Sequence, residues 1–417
     1  MNKLDQISLI LPSRNNLKYL QWAYNSIRKN IKYNVEMIML DDASTDGTWK
    51  WMNEKQQLDS NLKISRNNGP ERIGHTVLYD RGIDLSTKPI VGIFHADMYM
   101  GSNALENALN ILEENMVVTL TRVEPPLHPP DPSKHIADFG MEPEQFQEDA
   151  FLNFIKKNEL TNKKTQGFFA PWIIHKKDFL SIGGHDKRVF APMELEDSDI
   201  GNRFLLKGYN LIQIHSSFVY HMTCRGSRFK DGIKIIQEIP VSSNNIWKRA
   251  QDSDEYTKLR QNKFREWWRK WHSDVLHDAN MLPIVNPRYD TGFVVKNCPY
   301  KLIEFIEPWC DTLFLESPDN IKRYIEQEQP HTKFDLSKRI LPSTSNYSND
   351  IIVRFDATHF NQSQMNIIKQ FPPLIKDSGE IGIMEYDIFT FDIRNINQIE
   401  KKLIHADSPW YVNQIIE

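Results

Sequence analysis

The N-terminal part of the chain alternates regularly between short apolar runs and amphipathic segments. The runs ISLILP, VEMIML, PIVGIF and MVVTLTR are rich in branched side chains, which is typical of buried strands. Segments such as NLKYLQWAYNSIRKN and NALENALNILEE separate these runs, and their apolar residues recur at helical spacing. Strands joined by helices of this length predict βαβ crossovers, and therefore a doubly wound, mainly parallel α/β sheet.

Polar side chains follow three of the predicted strands. They are Ser13, Arg14 and Asn15 after the first strand, Asp41 and Asp42 after the second, and His95 and Asp97 after PIVGIF. Because ligands of such sheets bind beyond the carboxyl ends of the strands, we expect these residues to share one edge. Alternation along an extended chain turns positions 95 and 97 to the same side. One imidazole and one carboxylate there suit a divalent cation or a ribose, although a single Asp after a strand is often a turn residue.

The stretch LDDASTDGTW divides into two parts. Asp46 or Ser44 is a good cap for the helix that follows, and this explains the segment from Asp46 to Thr48. A turn does not need two adjacent carboxylates at the end of a buried strand. Asp41 and Asp42 therefore suit either a surface turn or the recognition of a base N–H or ribose hydroxyls.

The stretch MELEDSDIGNRFLLKG predicts a helix that begins near Glu196 and ends at Gly208. Asp199 and Arg203, four residues apart, predict a structural ion pair. Acids in a first helical turn usually complement the helix dipole. Glu196 and Asp197 lie at the very start of the helix, however, where a carboxylate that faces a cleft can act as a base.

His221 follows a later apolar run and precedes a basic, glycine-containing loop. A single histidine is usually structural. The loop carries Arg225, Arg228 and Lys230, and a histidine beside such a loop suits a metal ion and a diphosphate.

Length and composition predict a two-domain globular protein. The chain has 417 residues, with 40% hydrophobic and 25% charged residues and a net charge of −4. This charge gives no general attraction to nucleic acid, so no stable nucleic-acid binding is expected. Three scattered cysteines favour a reducing compartment. With no visible export signal and no run of 18 apolar residues, we predict a cytoplasmic protein without a transmembrane segment.

Three regions follow from these patterns. Residues 1–240 form the predicted α/β domain, which contains a proline-dense irregular loop at 124–132. Residues 241–287 form a helical, Trp-rich connector with an aromatic stripe, which we interpret as core or interdomain packing rather than a membrane anchor. Residues 288–417 alternate again and predict a smaller α/β domain of unknown role. The stripe consists of Phe264, Trp267, Trp268 and Trp271.

The order of these motifs resembles that of the family-two inverting glycosyltransferases with the GT-A fold. The resemblance covers about residues 5–275 and depends on DDASTDGT together with EDSD, on the strand that ends at Asp97, and on the later His221. It implies that Asp97 is the last acid of the metal-binding DxD motif, that His221 completes the metal shell, and that Asp197, beside Glu196, is the catalytic base. Gly183 and Gly184 match small residues on the acceptor side.

The resemblance and the residue patterns together predict a donor-binding set. That set comprises Pro12, Ser13, Arg14, Asp41, Asp42, Arg72, His95, Asp97, Arg225 and Arg228. The first acid of the DxD motif is replaced by His95, which can contact the metal ion, a ribose or the diphosphate.

The expected reaction is transfer from a nucleotide-sugar, favouring UDP, with Mn²⁺ or Mg²⁺ on the diphosphate. The acceptor is a glycan, a lipid-linked sugar or a protein, and the oligomeric state is open. A nucleotidyltransferase and a non-catalytic sugar-nucleotide-binding scaffold are the alternatives. The first of these should carry an N-terminal glycine-rich loop, which LPSRNNLKYL lacks.

Overall fold

The structure, a computed structural model, describes residues 3–31, 35–160, 162–223, 228–229, 232–242 and 245–416. The chain divides into two compact units. The first comprises Met1–Lys187, Ala191–Leu259 and His277–Pro283, and the second comprises Arg188–Phe190, Arg260–Leu276 and Ile284–Glu417.

The first unit contains twelve strands in its described part. They are β1 (Ile7–Ser13), β2 (Glu36–Asp42), β3 (Leu62–Asn67), β4 (Ile90–Ile93), β5 (Met98–Met100), β6 (Met116–Glu124), β7 (Lys134–Ile136), β8 (Lys164–Gln166), β9 (Trp172–His175), β10 (Asn210–His221), β11 (Ile235–Ser242) and β12 (Asn245–Ala250). The helices are α1 (Leu17–Asn30), α2 (Thr48–Leu58), α3 (His75–Leu85), α4 (Ala104–Ile111), α5 (Glu148–Asn158), α6 (Lys176–Leu180), α7 (Lys187–Phe190), α8 (Glu196–Lys207) and α9 (Asp254–Trp271), of which α7 and α9 continue into residues of the second unit.

Ten of these strands form one sheet in the order β3-β2-β1-β4-β9-β6-β10-β5, with β7 beside β6 and β8 beside β10. The α/β class predicted from the sequence is confirmed. The parallel pairs are β1–β2, β1–β4, β2–β3, β6–β10 and β6–β7, whereas β4–β9, β6–β9, β5–β10 and β8–β10 are antiparallel.

The register of β1 and β2 brings two polar strand ends together. Both strands are buried along their whole length, and Ser13 pairs with Asp41 at their carboxyl ends. Apolar side chains on both faces explain why these runs read as continuous rather than alternating. The shared edge predicted from the sequence is therefore present.

The first unit also contains an irregular loop and a second, smaller sheet. Residues 125–133 have no regular structure, as the proline-dense sequence predicts. Strands β11 and β12 pair as a separate antiparallel two-stranded sheet, whereas the sequence indicated only a polar segment there.

The second unit is a smaller α/β unit, as predicted. Its elements are β13 (Thr291–Lys296), α10 (Tyr300–Ile306), β14 (Thr312–Leu315), α11 (Pro318–Glu328), α12 (Leu336–Arg339), β15 (Ile340–Pro342), β16 (Ile351–Asp356), α13 (Gln362–Ser378), β17 (Gly382–Tyr386), β18 (Phe389–Ile393) and α14 (Pro409–Val412). The sheet order is β15-β14-β13-β16-β18-β17, in which β16–β18 and β17–β18 are antiparallel. Short 3₁₀ helices in the chain are Lys3–Gln6, Pro143–Gln145, Glu307–Trp309, Gln329–His331, Ala357–His359 and Glu400–Leu403.

The tryptophan stripe packs within the second unit. Trp267 and Trp271 are almost fully buried, and Trp268 stacks on Trp309 with ring centroids 5.4 Å apart. This agrees with the core interpretation of the stripe. Among the described residues, no helix combines the length and apolar character that crossing a bilayer requires.

Candidate functional site

A cleft of about 820 Å³ opens at the carboxyl edge of the large sheet. Most of the predicted donor-binding and metal-binding residues line it, although they come from distant parts of the sequence. The predicted residues in the wall are Pro12, Ser13, Arg14, Asp42, Arg72, His95, Asp97, His221 and Arg228.

The loops after β1 and β2 are hydrogen-bonded to each other beneath this cleft. Asn15, which has a left-handed φ of 47°, accepts a hydrogen bond from the Thr45 amide (2.8 Å) and donates its own amide to Ser44 Oγ (2.9 Å). Asp46 accepts the amides of Leu17 (3.0 Å) and Thr48 (3.1 Å), and thereby joins the starts of α1 and α2. These contacts fix the two polar turns relative to each other.

Asp42 anchors the segment that precedes α3. Its carboxylate accepts hydrogen bonds from the amides of Ile73 (2.9 Å) and Gly74 (2.8 Å) and from Asn67 Nδ2 (2.8 Å). Gly74 has φ of 82°, and a Cβ there would lie 2.0 Å from the Pro192 carbonyl oxygen, so only glycine fits. Asp42 therefore both lines the cleft and positions the loop that carries Arg72.

Asp41 lies elsewhere, outside the lining of the large cleft. It is fully buried outside the cleft lining, pairs with Arg66 Nε at 2.9 Å and accepts the Ser44 amide. Successive side chains on a strand point to opposite faces, so two adjacent acids cannot both face the cleft. We infer that Asp41 anchors the turn.

His95, Asp97 and His221 form a compact cluster in the cleft wall. One potential ligand atom of each residue lies within 4.8 Å of the others. His221 ends β10, whose antiparallel pairing with β5 places it opposite Met98 and therefore beside the turn after β4. His221 Nε2 is 3.5 Å from Asp97 Oδ1.

The ligand atoms of this cluster suit a divalent cation. Two imidazoles and a carboxylate are acceptable ligands for Mn²⁺. The other ring nitrogen of His221 lies 2.9 Å from the carboxylate of Glu124, and such a carboxylate–histidine contact orients metal-ligating histidines in proteins. Tyr79 stacks on the His95 ring at a centroid distance of 6.3 Å. Each imidazole is therefore held by a neighbour.

The electrostatic environments of the two imidazoles in the cluster differ. Burial, together with the charge on His221, lowers the pKa of His95 to about 3, so His95 is neutral at physiological pH. Burial alone would lower the pKa of His221, but the carboxylates of Asp97 and Glu124 raise it above its ordinary value. Burial would raise the pKa of Glu124, yet Arg122, with His221 and Lys134, holds it well below its usual range.

Glu196 and Asp197 line a second, smaller cavity of about 300 Å³ rather than the large cleft. His75, Met193 and Glu194 line both cavities, which therefore adjoin. The helix begins at Glu196, as predicted, and the turn before it is unusual. Glu194 and Leu195 have φ of 80° and 65°, a left-handed conformation that is rare for bulky residues and clusters at functional sites.

The two adjacent acids differ in their environments. Glu196 Oε1 lies 2.5 Å from His75 Nε2, and although burial favours protonation, His75 lowers the pKa of Glu196. Burial, and then the negative charge of Glu196, raise the pKa of the half-buried Asp197 to about 6. A carboxylate whose pKa lies near neutrality suits general-base catalysis.

The remaining predicted residues fall into three groups. Arg228 lines the large cleft and lies 5.6 Å from the Tyr256 ring. Arg225 and Lys230 lie outside the described residues. Gly183 and Gly184 line neither cavity. Instead, Arg203 donates to the Gly184 carbonyl (2.7 Å) and pairs with Asp199 (2.8 Å), which confirms the predicted structural ion pair.

Sequence reasoning missed three residues of the site. Tyr79 and His75 lie on α3 and look like ordinary residues of an amphipathic helix. Glu124 ends β6, where it reads as the start of the proline loop. Of these residues, Glu124 could have been identified from its position alone, because it ends a strand at the ligand-binding edge, as Asp42 does.

The N-terminal part of the chain is similar to a known protein family. Residues 8–181 match the family "Glycosyl transferase family 2". This match confirms over that range the resemblance predicted from the sequence. No curated protein matches the chain.

Three solved structures show partial similarity. They are GalNAc-T7 with UDP, GalNAc and Mn²⁺ (15% identity, TM-score 0.41, 52% of this chain and 44% of that one), the mannosyltransferase PcManGT from Pyrobaculum calidifontis in complex with GDP-Man and Mn²⁺ (18%, 0.38, 53% and 57%), and S. aureus TarS 1–349 (16%, 0.36, 52% and 60%). The chain therefore spans less than two thirds of each of these proteins.

Proposed function

We propose that this protein is an inverting glycosyltransferase that moves a sugar from a nucleotide-sugar, favouring a UDP-sugar, to an acceptor hydroxyl. The observation that carries the proposal is the pair of adjoining cavities. The larger contains the His95–Asp97–His221 cluster, and the smaller contains Asp197 with a pKa near neutrality. The family match over residues 8–181 supports the same class.

The large cleft is the proposed donor site. Its volume of about 820 Å³ lies within the usual range of ligand pockets, roughly 300–1,000 Å³. Ser13 Oγ and Arg72 Nε are buried there without a hydrogen-bond partner within the described part of the chain, so a bound donor can satisfy both. Arg14, Arg72 and Arg228 supply positive charge for a diphosphate.

Asp97 and His221, with neutral His95, would hold Mn²⁺ or Mg²⁺. Two nitrogen ligands favour Mn²⁺, because Mg²⁺ prefers oxygen ligands. When bound, such an ion neutralises charge on the departing nucleoside diphosphate.

Asp197 is the proposed base. It accepts the proton of the acceptor hydroxyl while that oxygen bonds to the anomeric carbon, and the bond between this carbon and the diphosphate oxygen breaks on the opposite face. Inversion of the anomeric centre follows from this single displacement. General-base assistance contributes roughly 10²–10⁴-fold to such a step. A glycan, lipid-linked or protein acceptor and a cytoplasmic location remain predictions.

Donor binding tests the proposal. Calorimetry with a panel of UDP- and GDP-sugars should show binding that depends on Mn²⁺, and Asp97→Ala should weaken it by about tenfold or more because a metal ligand is lost. Asp84→Ala, an exposed residue of α3 outside both cavities, is the matched control and should bind as the wild type does. Binding of equal strength with and without Mn²⁺, or an unaffected Asp97→Ala variant, would contradict the metal site. Donor binding without hydrolysis or transfer would favour a non-catalytic scaffold.

A further inference from the structure

The lining of the small cavity combines apolar and acidic residues. Phe168 and Phe169, which are 3% and 5% exposed, line it together with Met193 and Met281. Its acidic residues are Glu194, Glu196 and Asp197. A pyranose ring can contact both kinds of residue, because one face presents C–H groups and its rim presents hydroxyls. The volume of about 300 Å³ lies at the lower end of the range for ligand pockets, which suits one ring.

The segment His277–Pro283 completes the wall of this cavity. His277 and Met281 line it, and the Met281 carbonyl accepts the Phe168 amide at 3.2 Å. Two glycines permit the close approach of the segment. A Cβ at Gly167 would lie 2.4 Å from the Asn280 carbonyl oxygen, and one at Gly201 would lie 3.0 Å from Pro283. The segment lies beyond residues 8–181, so this wall is not part of the region that matches the family.

The charge of the cavity disfavours an anionic acceptor. Arg122 is its only arginine or lysine in the described lining, and its guanidinium lies 4.3 Å from the Phe169 ring and 3.5 Å from the Glu124 carboxylate. Glu196 Oε2 is buried and has no hydrogen-bond partner among the residues described. A buried carboxylate oxygen is stabilised by a donor, and a hydroxyl of a bound ligand can supply it.

We infer that the small cavity is the acceptor site and that it takes the terminal pyranose of a neutral glycan. One face of the ring packs on Phe168, Phe169 and Met281. One hydroxyl donates to Glu196 Oε2, and the attacking hydroxyl faces Asp197. The inference rests on the proposed function, and it names Met281 as a residue that determines acceptor affinity.

Methyl glycosides test this assignment with the full chain. The panel comprises methyl glycosides of glucose, galactose, mannose and N-acetylglucosamine, together with methyl glucuronide and a serine-containing peptide. We expect transfer to at least one neutral glycoside. Met281→Ala should raise the KM of that glycoside about tenfold more than it raises the KM of the donor, because apolar contacts with the ring are lost. Leu282→Ala removes a half-buried neighbour outside the cavity lining and should change neither constant.

The other outcomes overturn the inference and are distinguishable. Preferred transfer to methyl glucuronide or to the peptide contradicts a neutral glycan acceptor. A Met281→Ala variant with an altered donor KM and an unchanged acceptor KM shows that the cavity holds the donor sugar. Donor hydrolysis without transfer to any neutral glycoside overturns the acceptor assignment alone, whereas absence of both donor binding and hydrolysis overturns the proposed function as well.

Discussion

At the scale of single residues, adjacent acids in this protein have different roles. Asp41 is buried against Arg66, while Asp42 faces the cleft and holds the loop before α3. The sequence shows both pairs of adjacent acids, Asp41–Asp42 and Glu196–Asp197. It does not show in which direction each side chain points, and this direction determines its role. Asp197 acquires its raised pKa from burial and from Glu196, and the burial is not visible in the sequence.

The pH dependence of transfer follows from this environment. Asp197 must be ionised to accept a proton, so kcat/KM should rise with pH and level off above its pKa of about 6. Glu196 is the neighbouring charge that raises this pKa, whereas His185, His75 and Arg122 lower it. In Glu196→Gln the rising limb should therefore move to lower pH. A limb that stays in place or moves to higher pH would contradict the assignment of Asp197 as the base.

At the scale of elements, the start of α8 is held by buried contacts that position the two acids. Arg203 is fully buried, and it pairs with Asp199 and donates to the carbonyls of Ile182 and Gly184. The existence of the helix and this ion pair could be predicted from spacing. The position of β9 between β4 and β6, antiparallel to both, could not be predicted. The sequence of a short apolar strand does not show in which direction the strand runs within its sheet.

Removing one partner of this pair should destabilise the first unit. Asp199→Ala removes the carboxylate that pairs with the buried Arg203 guanidinium, and breaking a buried ion pair in this way typically costs about 3–5 kcal/mol. The midpoint of urea unfolding, followed by tryptophan fluorescence, measures the change. Glu114→Ala removes the exposed ion pair with Lys177 in the same unit and should have a much smaller effect. Equal effects of the two substitutions would show that Asp199 does not anchor α8.

At the scale of the whole molecule, the site draws on residues spread from Pro12 to Met281. The strand-end residues Asp42, Asp97 and His221 could be predicted because the geometry of a parallel sheet brings strand ends together. The contribution of Met281 could not be predicted, because the sequence does not show that the segment His277–Pro283, which is distant in sequence, belongs to the first unit. The second unit has its own buried ion network, in which Glu307 contacts Arg269 and Arg339, and no role follows from it.

The proposed mechanism depends above all on Asp197 as the base in glycosyl transfer. The most direct test is the rate of acceptor-dependent nucleotide release by Asp197→Asn, with donor affinity measured by calorimetry in Mn²⁺ as the reference. We expect a loss of roughly 10²-fold or more in rate, with donor affinity unchanged, because the amide cannot take the proton. A variant that binds the donor normally and transfers sugar within a few-fold of the wild-type rate would contradict the claim.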